Sequence, residues 1–166
     1  MHDIPDADAY GAVIFCARVW VLPRESADHF GGCVWTFPKG KPRAGESPAG
    51  TAAGSALDKT GYRVDLLDVI RGVFAGTASS SASVLAGARG KQRQTTLETA
   101  STRWVRVEEV KEHIAQTRVR EGRERDLANL RAAGDLHAHM PWDRRPARRT
   151  ETQGPCRASG RPSGGR

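Results

Sequence analysis

The chain has 166 residues, 38% of them hydrophobic and 27% charged, with a formal net charge of +7. That length allows one domain with a sizeable core. No apolar run approaches the length of a membrane span, and the acidic opening MHDIPDADAY lacks the apolar stretch of a secretory signal. The three cysteines, Cys16, Cys33 and Cys156, form no CxxC pair, so neither a disulfide framework nor a zinc site is indicated and a reduced, cytoplasmic setting is expected.

The basic charge is uneven. Residues 134–166 hold seven arginines against three acids, so this stretch carries +4 of the total. It is rich in Gly, Pro, Ser and Arg and shows no helical or strand periodicity, which predicts a disordered tail after a domain spanning 1–133. A basic tail can meet nucleic acid or an anionic surface without sequence preference. A solvated extension is the simpler reading, because Trp142 is its only aromatic residue.

In chain order, YGAVIFCARVWVL (10–22) is rich in β-branched and aromatic residues and predicts a buried strand, with a break near Ala17–Arg18 and an end at Pro23. A polar loop over 24–32 leads to a short strand, CVWTF (33–37), stopped by Pro38. After the loop PKGKPRAGE, Ser47 and Pro48 are placed as N-cap and first helical residue. Ala49, Ala52, Ala53, Ala56 and Leu57 then make one thin apolar stripe, and Gly61 is placed to end the helix. Residues 62–75 return to strand character. Gly76 to Ser83 predicts a small-residue turn, SVLAG (83–87) a short strand, and 87–99 a polar loop. STRWVRV (101–107) alternates as a strand. Two helices follow, one from near Val107 and one from near Glu121 with Leu127 and Leu130 facing the core. Strands with flanking helices suggest an α/β sandwich around a mixed sheet.

The stretch that carries chemistry is WTFPKGKPRAGESPAGTAAGSALDKTGYRV (35–64). It resembles the Nudix hydrolase signature, in which a Gly and a Glu precede a helix carrying Arg-Glu and a later Glu-Glu pair. Gly40 takes the first position, Glu46 follows after five residues, and Gly54-Ser55-Ala56-Leu57-Asp58-Lys59-Thr60-Gly61-Tyr62 follows seven residues later, without a gap. The flanks WTFPKGK and Arg103-Trp104-Val105, with Glu108-Glu109 after it, are also similar to family members. The resemblance covers roughly 10–133 and implies the Nudix α/β/α sandwich around a mixed β-sheet. It also implies hydrolysis of the pyrophosphate bond of a nucleoside diphosphate linked to another moiety, with Mg²⁺ or Mn²⁺ as cofactor.

The departures fall on the positions where the family does its chemistry. Its Arg is Gly54, its first helix Glu is Ser55, and its paired glutamates are Asp58 and Lys59. Positions 55, 58 and 59 share one helix face. Where the family presents carboxylates, which hold hard divalent cations, this chain presents a hydroxyl, one carboxylate and an ammonium. The resemblance therefore leaves Glu46 and Asp58 as catalytic candidates, and Gly40, Asp58 and Glu98 as metal-site candidates. Lys39, Lys41, Arg43 and Lys59 are candidates for meeting phosphate. For each, a solvated surface role is the plain alternative. With Gly54 in place of Arg, Glu46 lacks the partner the family gives it. The expected ligand is a nucleotide-type small molecule, and the alternative to a hydrolase is an inactive Nudix-fold nucleotide-binding domain. The small residues of 76–88 are a candidate surface for packing against a partner.

Overall fold

The protein is described from a computed structural model, covering residues 3–25 and 34–140. Among the described residues six strands form one mixed sheet: β1 (Ala9–Cys16), β2 (Val19–Glu25), β3 (Lys39–Gly40), β4 (Arg63–Ala75), β5 (Ser80–Arg89) and β6 (Thr99–Arg106). The order across the sheet is β4-β5-β1-β2-β6, with β3 added antiparallel to β1. β1 and β5 run parallel in the middle, and the other pairings are antiparallel. Helix α1 (Pro48–Thr60) covers one face. On the other face lie α2 (Val110–Ile114), which continues a short 3₁₀ turn at Val107–Glu109, and α3 (Arg120–His139). This is the α/β/α sandwich expected from the sequence.

Period-2 alternation builds both layers. In β1, Val13 and Phe15 join Trp20, Leu22, Phe37, Leu85, Ile114 and Ala133 on the α3 side. Ala12 and Ile14 join Val21, Ala52, Ala56, Val84 and Trp104 on the α1 side. β1 is therefore buried on both faces, as a continuous apolar run requires.

The break at Ala17–Arg18 is a two-residue hairpin turn, Cys16 facing Val19, and Ala17 takes a positive φ of 54° to make it. Pro23 does not end β2. The strand continues to Glu25, and Pro23 directs its carbonyl to the N–H of Thr36 at 3.3 Å, on the side away from β6, where a missing N–H breaks no ladder bond. The strand expected over 33–37 reduces, among the described residues, to a single bridge between Arg24 and Trp35, and regular pairing resumes only at Lys39.

Gly76 to Ser83 is also not one turn. The turn is confined to Gly76–Ser79, closed by Gly76 N–H on Ser79 O at 2.9 Å, and β5 begins at Ser80. Small residues serve a central strand here because both of its faces are covered. Ser81 donates to Phe74 O, and Ser83 accepts from Asn129 Nδ2 at 3.0 Å, which satisfies the buried hydroxyls. Placed between β4 and β1, β5 has both of its edges paired.

Helical structure continues past residue 133. α3 runs to His139, and Met140 is buried in the α3-side core with Leu136 packed against it. The sequence obscured this because α3 buries Gly122, Asp126, Asn129 and Ala133, a largely polar stripe, while Leu127 and Leu130 are only half-buried beside it. Residues 141–166, with most of the basic tail, lie outside the described residues. Cys16 is disulfide-bonded, contrary to the expectation of reduced thiols, which rested on the odd cysteine count and the absence of a CxxC pair; the other two cysteines lie outside the described residues. Among the described residues no helix is long and apolar enough to cross a membrane.

Candidate functional site

Helix α1 is set as its sequence requires. Ser47 is the N-cap, its Oγ accepting from Gly50 N at 3.1 Å, and Pro48 opens the first turn. Gly61 closes the helix in the left-handed region at φ 77°, its N–H donating to Leu57 O at 2.8 Å. The buried face is Thr51, Ala52, Ser55, Ala56 and Thr60. It is rotated from the expected alanine stripe, so Ala49, Ala53 and Leu57 are half-buried and Ser55 points inward.

This rotation brings Ser55 against β3. A Cβ on Gly40 would stand 2.6 Å from Ser55 Oγ, so glycine is what lets the strand and helix approach so closely. One turn further along α1, Lys59 makes an ion pair with Glu98 at 2.5 Å, with side-chain exposures of 18% and 41%. Asp58 is exposed. Gly40, Ser55, Lys59 and Glu98 thus form a row from β3 along α1 to the loop before β6.

That loop, residues 90–98, is strapped to the C-terminal end of α1. Thr96 N–H donates to Asp58 O (2.8 Å), Arg93 N–H to Gly61 O (2.7 Å) and Gln92 Nε2 to Thr60 O (2.9 Å). The carbonyls that a helix end leaves without intrahelical partners are satisfied in this way, and Glu98 is carried to Lys59.

Glu46 is not left without a partner by the glycine at 54. Its Oε2 accepts from Arg43 N–H (3.0 Å) and from Thr51 Oγ1 (3.0 Å). The backbone hydrogen bond from Arg43, then the Thr51 hydroxyl, hold its carboxyl below the usual glutamate range. Thr51 was not foreseen as a site residue. Its position one turn into the helix, five residues after Glu46, was the available signal.

The basic candidates do not share one partner. Lys39 Nζ lies 3.4 Å from Thr36 Oγ1, which in turn donates to Asp126 Oδ2 at 2.6 Å. Asp126 also pairs with Arg125 at 2.9 Å, and both are almost wholly buried. Lys41 is exposed, and its charge adds to the Ser80 hydrogen bonds that hold the Asp8 carboxyl low, the backbone bond from Ser80 being the largest cause. Arg43 is exposed beside Glu46. The buried Thr36–Asp126–Arg125 network was also not foreseen. Its only sequence signal was an acid at a core-facing position of α3.

The donor set does not fit a divalent cation. Hard ions take several oxygen ligands, mostly carboxylates. The row offers a buried serine hydroxyl, a backbone segment and one carboxylate already neutralised by Lys59. Among the described residues no group of three or more His, Cys, Asp or Glu side chains is placed to hold a metal.

The sequence pattern of the NUDIX domain matches residues 5–125, and the chain belongs to the Nudix family. No curated protein matches it. Among solved structures, the chain is similar to a Nudix hydrolase from Nitrosomonas europaea at 17% identity, covering 84% of this chain and 95% of that one, with a TM-score of 0.63. It is similar to an ADP-ribose pyrophosphatase from Streptococcus suis at 14% identity, covering 83% and 96%, with a TM-score of 0.62. A C. elegans Ap4A hydrolase aligns at 19% identity over 80% and 99%, with a TM-score of 0.57. At these identities the likeness is one of fold.

Proposed function

We propose that this Nudix domain binds the diphosphate group of a nucleotide-type small molecule beside α1, at Lys59, and cleaves its pyrophosphate bond far more slowly than a domain with the full carboxylate set. The observation that carries the proposal is the Lys59–Glu98 ion pair on the helix face where the family resemblance expects metal-binding carboxylates. Hydrolysis of a pyrophosphate needs clustered phosphate charge neutralised and a water activated. Glu46 is held ionised by Arg43 and Thr51 and serves to order the loop between β3 and α1. Asp58 remains the one carboxylate of the box that faces solvent. Basic side chains suit phosphate: Lys59 lies on the α1 face next to Glu98, and Lys41 and Arg43 are exposed in the loop between β3 and α1. The similar folds named as an ADP-ribose pyrophosphatase and an Ap4A hydrolase support a nucleotide-type ligand.

Calorimetric titration of nucleoside diphosphate derivatives in EDTA tests the proposal. Measurable binding that weakens as salt is raised is expected, because the contacts are charge on charge. Absence of heat at millimolar ligand, in EDTA and in Mg²⁺ alike, would overturn it.

A further inference from the structure

We infer that Lys59 is a built-in replacement for the divalent ion, so that diphosphate recognition in this chain needs no metal, with Glu98 holding the ammonium in place until phosphate takes it over. The inference rests on the binding reading above and identifies the cation of that site.

Three observations lead to it. First, Lys59 is mostly buried for a lysine, 18% exposed, and sits on the α1 face that begins at the close approach of Ser55 to Gly40. A lysine ordinarily extends into water, and one held against a protein face requires a counter-charge. Second, that counter-charge comes from a loop fastened at three points to the end of the same helix, through Thr96, Arg93 and Gln92. The pair is thus held by backbone geometry as well as by its own two side chains. Third, Glu98 is 41% exposed, more open than its partner, so its carboxylate can return to water and leave the Lys59 ammonium to an incoming anion. An ammonium is a compact point charge with three donors. It can pass from one oxygen acceptor to another without a change in protonation. A phosphate oxygen can therefore replace the Glu98 carboxylate on Lys59, and a divalent ion approaching the same place meets a fixed positive charge.

The test uses the full-length chain and two variants, Lys59→Gln and Lys59→Glu, with inorganic pyrophosphate and Mn²⁺ as separate probes. Wild type is expected to bind pyrophosphate in EDTA, and Mn²⁺ alone should leave its melting temperature unchanged. Lys59→Gln keeps a donor for Glu98 but loses the charge, and its pyrophosphate affinity in EDTA should fall about tenfold or more. Lys59→Glu places a new carboxylate beside Asp58 and Glu98, and its melting temperature should rise with Mn²⁺. A rise of the wild-type melting temperature with Mn²⁺ would overturn the inference. So would Lys59→Gln binding as tightly as wild type, or a folded Lys59→Glu that ignores Mn²⁺. Pyrophosphate binding that appears only with added Mg²⁺ would overturn the inference and leave the diphosphate-binding reading standing. No binding of pyrophosphate or any nucleotide under either condition would remove that reading itself.

Discussion

Single glycines divide the site residues into those the geometry requires and those it merely tolerates. At Gly61 the backbone is left-handed, and an added Cβ would come within 2.1 Å of Arg93 O, the carbonyl of the residue that fastens the loop. At Gly54 an added Cβ would meet only Glu46 Oε1 at 3.8 Å, an ordinary contact. Gly54→Ala should therefore stabilise the domain by about 1 kcal/mol, the helix-propensity difference. Gly61→Ala should destabilise it by more than about 1 kcal/mol. Urea unfolding midpoints of the two variants check this. A loss of stability in Gly54→Ala would show that the glycine has a packing role. The same scale shows what the sequence could reveal about the site. The gapless frame from Gly40 to Tyr62 was visible, as were the replacements at 54, 55 and 59. That Thr51 would serve Glu46, and that Lys59 and Glu98 would meet across 39 positions of chain, depends on how α1 is rotated on the sheet, and its alanine pattern pointed to a different rotation.

At the scale of elements, the strands with strong β character and the capped helix were legible because local chemistry and tertiary placement agree. The misread elements are those where they disagree. The strand at 83–87 was legible, but the start of β5, residues 80–83, consists of small residues typical of turns and yet lies between β4 and β1 with helices over both faces. α3 buries Asp126 and Asn129, so its apolar pattern stops short of its true end. The Asp126 network has a mechanical consequence. It ties α3 to Thr36, three residues before Lys39 and the start of β3, and so ties the two layers of the sandwich to the segment that approaches α1. Asp126→Asn would leave Arg125 facing a neutral amide in a nearly closed site. Loss of one partner of a buried ion pair costs about 3 kcal/mol or more, and a drop of that size in unfolding free energy is expected. Replacing both residues, with Arg125→Met and Asp126→Leu, should recover much of the loss. A full-sized loss in the double variant would mean that the network is needed for folding beyond its own charges.

At the scale of the whole molecule, fold and chemistry separate. Among the described residues the family's sandwich is formed, and its helix is capped and docked. On the proposal above, what differs is the charge carried on the face of that helix, where an ammonium paired to a carboxylate stands in a row otherwise made of a glycine backbone and a serine hydroxyl. A fold can persist while the site built on it changes. The account predicts a protein that recognises diphosphates and turns them over poorly. The most direct test is the release of phosphate or nucleotide from a panel of nucleoside diphosphate derivatives, with and without Mg²⁺ or Mn²⁺. Losing the several kcal/mol that a bound ion contributes should cost orders of magnitude in rate, so turnover below about 0.01 s⁻¹ is expected whether or not metal is added. Metal-dependent turnover of about 1 s⁻¹ or faster on any member of the panel would contradict the account.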